Sequence, residues 1–99
     1  MKIPVVTIDR LEGFKTSGSA ALLSTTVSAK MRDYSSSDSS KIEAAKENAV
    51  EDLRRQAEER GMNAVVGLRL ELFRTDDGQY YSYLVSAYAT GVKIIAKAD

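Results

Sequence analysis

The sequence predicts an α+β fold, with one main helix packed on a small, mostly antiparallel sheet. Three observations predict it. Residues 40–61 read as a capped amphipathic helix with a glycine stop. Residues 63–74 alternate apolar and polar side chains, the period of a half-buried strand. Residues 80–95 return as a second long strand after the turn-forming run Thr75-Asp76-Asp77-Gly78-Gln79. A chain of 99 residues makes one domain, residues 1–99.

The elements follow in chain order. Residues 3–11 read as a first strand, because Val5, Val6, Thr7 and Ile8 favour extended backbone. Pro4 sits at its start, where a missing N–H does least harm. Gly13 and Gly18 bracket an expected turn around residues 15–17. Residues 19–32 mix strand formers (Thr25, Thr26, Val27) with alanines and Met31, which favour helix. A strand to about Val27, then a short helical turn, is the expectation. Residues 34–40, YSSSDSS, read as a surface loop. Ser40 and Glu43 have the spacing of a capping box, which places the helix start at Ser40. Ile42, Ala45, Ala49, Leu53 and Ala57 make one apolar stripe, and Val50 widens it. The other face offers Glu51–Arg55, Arg54–Glu58 and Arg55–Glu59 at i,i+4. Gly61 suits the left-handed position that ends a helix. In the next strand Val66, Leu68, Leu70 and Leu72 are expected to share one face.

The last strand shows why one copy looks insufficient. One face carries Tyr80, Leu84, Tyr88, Val92 and Ile94. The other carries Tyr81, Tyr83, Val85, Ala87, Ala89 and Ile95. Both are rich in apolar side chains, and a single helix covers one side of a sheet. A second copy of the same chain is the expected cover, with Tyr81, Tyr83, Leu84, Val85 and Tyr88 at the interface; the alternative is a curled sheet that packs on itself as a small barrel.

Composition narrows the chemistry. Lys+Arg and Asp+Glu number 14 each, so no basic excess points to nucleic acid. With no cysteine, there is neither a disulfide nor a thiolate ligand. With no histidine, the commonest general base and metal ligand is missing. No apolar run is long enough for a membrane span, and the first ten residues lack a secretory signal pattern. A cytoplasmic protein without membrane or nucleic-acid partners is the expectation.

The run ERGMNAVVG at residues 59–67 and the run VSAYATGV at residues 85–92 resemble the YbjQ-like family, whose members are described as heavy-metal-binding. Residues 18–23, GSAALL, sit where that family has a comparable strand. The likeness spans about four-fifths of the chain, and its motifs are structural rather than catalytic. It implies a dodecin-like or YbjQ-like subunit that assembles into a ring, commonly a homopentamer. It implies no established reaction. The metal label fits poorly, since soft metals want thiolate or imidazole. Residues 34–40 also differ from the glycine-containing stretch common in the family.

Carboxylates are the remaining hard-metal ligands. Glu71, Asp76 and Asp77 match no loop with six to eight converging oxygens. Tyr80, Tyr81, Tyr83 and Tyr88 could stack on a ligand, but no basic partners accompany them, and interface burial suits them better. No phosphate loop and no nucleophile–base motif is present. The expectation is therefore a non-enzymatic, self-assembling module with no catalytic, cofactor or metal residues. The alternative is a small-molecule or ion carrier with sites at subunit boundaries.

Overall fold

The computed structural model describes residues 3–8, 13–32, 38–76 and 80–96. Its elements are β1 (Phe14–Arg32), α1 (Asp38–Glu59), β2 (Ala64–Asp76) and β3 (Tyr80–Ala96). The sheet order is β1-β3-β2, and both pairs are antiparallel. The α+β expectation holds, with one helix on a three-stranded sheet.

β1 departs from the sequence reading. It is extended for 19 residues, with no helical turn after Val27. Its alanines are strand residues that let a helix come close: Ala29 is buried beneath α1, in one cluster with Ala45 and Ala49. The turn expected at residues 15–17 is a bulge instead. Gly18 takes a φ of 77°, and the β1–β3 register shifts between Ser17 and Ala21.

Of the strand expected over residues 3–11, the described residues 3–8 form one parallel bridge, Val5 to Val65. Val65 N–H donates to the Pro4 carbonyl at 2.9 Å, and Leu68 N–H to the Val6 carbonyl at 3.1 Å. Among the described residues the segment meets the first part of the β2 edge. Residues 9–12 lie outside the described residues, as do 34–37 and the turn at 77–79.

α1 begins at Asp38, so Ser40 lies inside the first turn and is not the N-cap. The apolar stripe is as expected: Ala45, Ala49, Leu53 and Ala57 are all buried. The C-terminus closes as a Schellman motif. Met62 N–H donates to the Ala57 carbonyl at 2.9 Å, and Gly61 N–H to Glu58 at 3.0 Å, with Gly61 at φ 75°. An alanine there would carry the left-handed strain of an L-residue. Gly61→Ala is expected to cost about 1 kcal/mol, read as a lower midpoint in urea unfolding.

β2 breaks its own alternation. Gly67 adopts φ 67°, and the β2–β3 register shifts between Val66 and Arg69. Val65 packs under α1 with Leu68, whereas Val66 joins Ala64 and Val92 in a small cluster on the other side. The single face expected for Val66 and Leu68 is thus split by one bulged residue.

Length now sets the geometry. A 19-residue strand spans roughly 60 Å, while the 22-residue helix spans roughly 33 Å. The molecule measures 58 × 21 × 21 Å, with a radius of gyration of 16.2 Å. A compact chain of this length would have about 13 Å. The sheet therefore runs well beyond its helix.

Candidate functional site

The features left over from the core are two uncovered surfaces and two sheet edges. Cross-strand pairing defines the surfaces, because opposed residues share a face. The covered face holds Leu23, Thr25, Val27 and Ala29 of β1 opposite Ala89, Ala87, Val85 and Tyr83 of β3. α1 packs on this face through Ala49 and Leu53. On β2, Leu70 and Leu72 share it, opposite Ala87 and Val85. α1 leans toward β1 and β3, so Leu70 and Leu72 stay 40% and 46% exposed. A groove of about 410 Å³ lies there, between Leu70 and the Glu43, Glu47 and Val50 flank of α1.

Among the described residues no helix covers the opposite face. It presents Leu22, Thr26 and Ser28 of β1, Leu84, Ser86 and Tyr88 of β3, and Glu71 and Phe73 of β2. Leu22 is 85% exposed and Phe73 49%. Thr26 and Ser86 hydroxyls meet at 3.4 Å, and the Tyr88 hydroxyl donates to the Glu71 carboxylate. That hydrogen bond to Glu71, with some desolvation, raises the Tyr88 phenol above its ordinary value. A depression of about 350 Å³ lies beside it, lined by Leu22, Ser24, Gly67, Tyr88 and Thr90.

The five interface residues expected from sequence therefore separate. Val85 is buried under the chain's own helix, and Tyr83 packs against the same cluster. Leu84 and Tyr88 lie on the open face. Tyr81 belongs to β3. Leu22 and Phe73, both exposed on the open face, were not among the five. The signal for Leu22 was parity: it precedes the buried Leu23, so it faces away from the helix.

The helix flank touching β1 is polar and specific. Gln56 Nε2 donates to the Ser24 carbonyl at 2.9 Å, and Arg60 Nη1 to the Leu22 carbonyl at 3.1 Å. On the other flank, Arg54 Nε donates to the Ile3 carbonyl at 2.9 Å. The ion pairs on α1 include Lys46–Glu43, Arg54–Glu51, Arg55–Asp52 and Arg55–Glu59. A hydrogen bond from Thr25, then one from Arg55, holds the Asp52 carboxyl below its ordinary value. A carboxyl depressed in the folded state contributes stability above its unfolded pKa. That contribution is lost as pH falls through the folded value. Asp52→Asn is expected to be less stable than wild type at pH 7, by under about 1 kcal/mol for so wet a group. The two proteins converge in acid below the folded Asp52 pKa, as urea unfolding at several pH values would read.

With this geometry in hand, comparison with known proteins is decisive for the family. A family model described as "putative heavy-metal-binding", the YbjQ-like family, matches residues 5–95. The chain belongs to the YbjQ-like family. A crystal structure of a DUF74-family protein of unknown function from Pediococcus pentosaceus shares the fold, with a TM-score of 0.76. It is 15% identical over 92% of this chain and 96% of that one, a likeness of fold alone. No curated protein matches the chain.

The donor set does not fit the YbjQ-like family's heavy-metal description. The sequence has no cysteine and no histidine, the ligands a soft or borderline metal selects. Among the described residues no three acidic side chains cluster in a way that could hold an ion. Glu71 is engaged by Tyr88, and Asp77 lies outside the described residues. Among the described residues no helix is long and apolar enough to cross a membrane.

Proposed function

We propose that this YbjQ-like protein is a non-enzymatic module that works as a homo-oligomer, assembled as a ring and most simply as a pentamer. The observation that carries the reading is apolar side chains left open on both faces of one sheet. Leu70 and Leu72 lie on the helix side, and Leu22 and Phe73 on the other. Their burial is worth about 25 cal/mol per Å² removed from water. Near-balanced charge offers little repulsion between copies. The residues that general acid–base or nucleophilic catalysis would require form no recognisable pair, which favours an assembly role over a reaction. Light scattering after size exclusion tests the assembly: a multiple of 10.8 kDa supports it, and 10.8 kDa at every concentration removes it.

A second reading, a small-molecule carrier, draws support from the open-face depression of about 350 Å³ beside Tyr88. That volume is near the lower limit for small-ligand sites. Native mass spectrometry of protein taken from cells tests it, since a retained non-covalent mass at fixed stoichiometry supports a cargo.

A further inference from the structure

The depression beside Tyr88 has both of its walls tied to distant parts of the chain. One wall is Leu22 and Ser24 of β1, the other is Gly67 of β2, and Tyr88 and Thr90 of β3 lie between them. On β1, Arg60 holds the Leu22 carbonyl and Gln56 holds the Ser24 carbonyl. On β2, Gly67 N–H donates to the Ile8 carbonyl at 2.8 Å, and Leu68 N–H to the Val6 carbonyl at 3.1 Å. Gly67 sits at the β2 bulge and has no side chain to fill the space. Walls fixed in this way spare a small ligand the cost of ordering them.

Opposite charges gather at one end of this depression. Arg69 pairs directly across from Tyr88, and Glu71 follows two residues later on the same face. The Tyr88 hydroxyl donates to Glu71 Oε1. That bond raises the phenol, and the Arg69 guanidinium pulls it back down, so both charges act on one hydroxyl. Among the described residues Arg69 makes no ion pair, with Glu71 or with any other carboxylate. Two positions so spaced on a strand stand about 7 Å apart.

We propose that this depression binds an apolar α-amino acid, with Glu71 taking the ammonium, Arg69 the carboxylate, and Leu22 and the Tyr88 ring flanking the side chain. This rests on the carrier reading above and names its cargo. A lone anion or a lone cation would meet one attracting and one repelling charge here. An ammonium and a carboxylate on a single carbon answer both, and each sits within hydrogen-bond reach of its partner. Both bonds are charge-assisted, and a guanidinium can grip a carboxylate with two parallel N–H groups. Glu71 keeps a second oxygen after accepting from Tyr88. The apolar body then lies against Leu22, which is 85% exposed without it. A volume of about 350 Å³ suits one small molecule. The Leu84–Phe73 pair lies further along the same face, about 13 Å from Tyr88, so cargo and a second copy can occupy different parts of it.

Saturation-transfer NMR on the full chain tests this with L-leucine and its two truncated forms. Isocaproate lacks the ammonium, and isoamylamine lacks the carboxylate. The expected result is transfer to the leucine methyl groups with a Kd of about 1 mM, and binding of either truncated form weaker by about tenfold. Arg69→Gln and Glu71→Gln are each expected to raise the leucine Kd about tenfold. Both side chains are exposed, so circular dichroism should stay that of the folded chain. A truncated form that binds as well as leucine overturns the paired recognition and leaves a carrier of another class. Leucine binding unchanged in both variants overturns it too, because the cargo would then sit elsewhere. No transfer to leucine also overturns it. In that case a cargo retained in native mass spectrometry keeps the carrier reading, and none retained removes that reading as well.

Discussion

Under the proposed homo-oligomer, Leu84→Asp is expected to give folded monomers. Leu84 sits on the helix-free face, opposite Phe73 on β2 and Ser28 on β1. In an isolated chain Leu84 is half-buried, so a carboxylate there keeps contact with water and costs less than it would when fully covered. In an assembly that covers this face it would be buried without a partner, which is strongly unfavourable. A loss of about 3 kcal/mol per contact is roughly a hundredfold in association. Light scattering should show the smaller mass, with helix and sheet content preserved in circular dichroism. An assembly of wild-type size would mean that this face stays open to water. Tyr83→Asp makes an informative contrast one residue earlier. Tyr83 packs toward the cluster under α1, so its replacement is expected to unfold the chain rather than dissociate it.

Leu53→Ala is expected to give the largest loss of stability from a single truncation. Leu53 is fully buried and is the only large residue among the four at the centre of the α1 stripe. Ala45, Ala49 and Ala57 allow close approach but bury little area themselves. Leu53 packs in one cluster with Leu23, Val65 and Val85, one from each strand. Removing its branch leaves a cavity that flanking alanines cannot fill, at a cost of about 3 kcal/mol. Urea unfolding at fixed protein concentration measures it, because assembly makes apparent stability concentration-dependent. A loss below about 1 kcal/mol would show that α1 docks mainly through something other than this stripe.

The helix and the long hairpin strands were legible in the sequence because each rests on a local period. Ala45 through Ala57 repeat at helical spacing, Gly61 marks the stop, and residues 63–74 alternate. The misreadings share a different cause. Residues 19–32 carry alanines whose helix preference was overruled by position: they form the strand on which a small-residue helix packs. The Val66–Leu68 alternation was broken by the bulge at Gly67, a backbone event that side-chain periodicity does not carry. Ser40 has the capping-box spacing, yet the helix extends two residues earlier to Asp38. The docking of residues 4–8 on β2 depends on partners some sixty positions away, such as Pro4 and Val65.

The candidate surfaces divide in the same way. Tyr83, Leu84, Val85 and Tyr88 were recognisable as a two-faced strand from alternation alone. Which face the helix would take was not, since both are apolar. Arg60 and Gln56 read as ordinary surface residues of a charged helix. Only the fold shows them holding the Leu22 and Ser24 carbonyls and so closing part of an edge.

The central claim is that a helix of roughly 33 Å cannot shelter a sheet built on a 58 Å molecule, so copies complete one another. Native mass spectrometry at micromolar concentration tests it most directly. The account predicts one closed multiple of the 10.8 kDa chain, the fivefold species foremost. A spectrum holding only the 10.8 kDa monomer would contradict it.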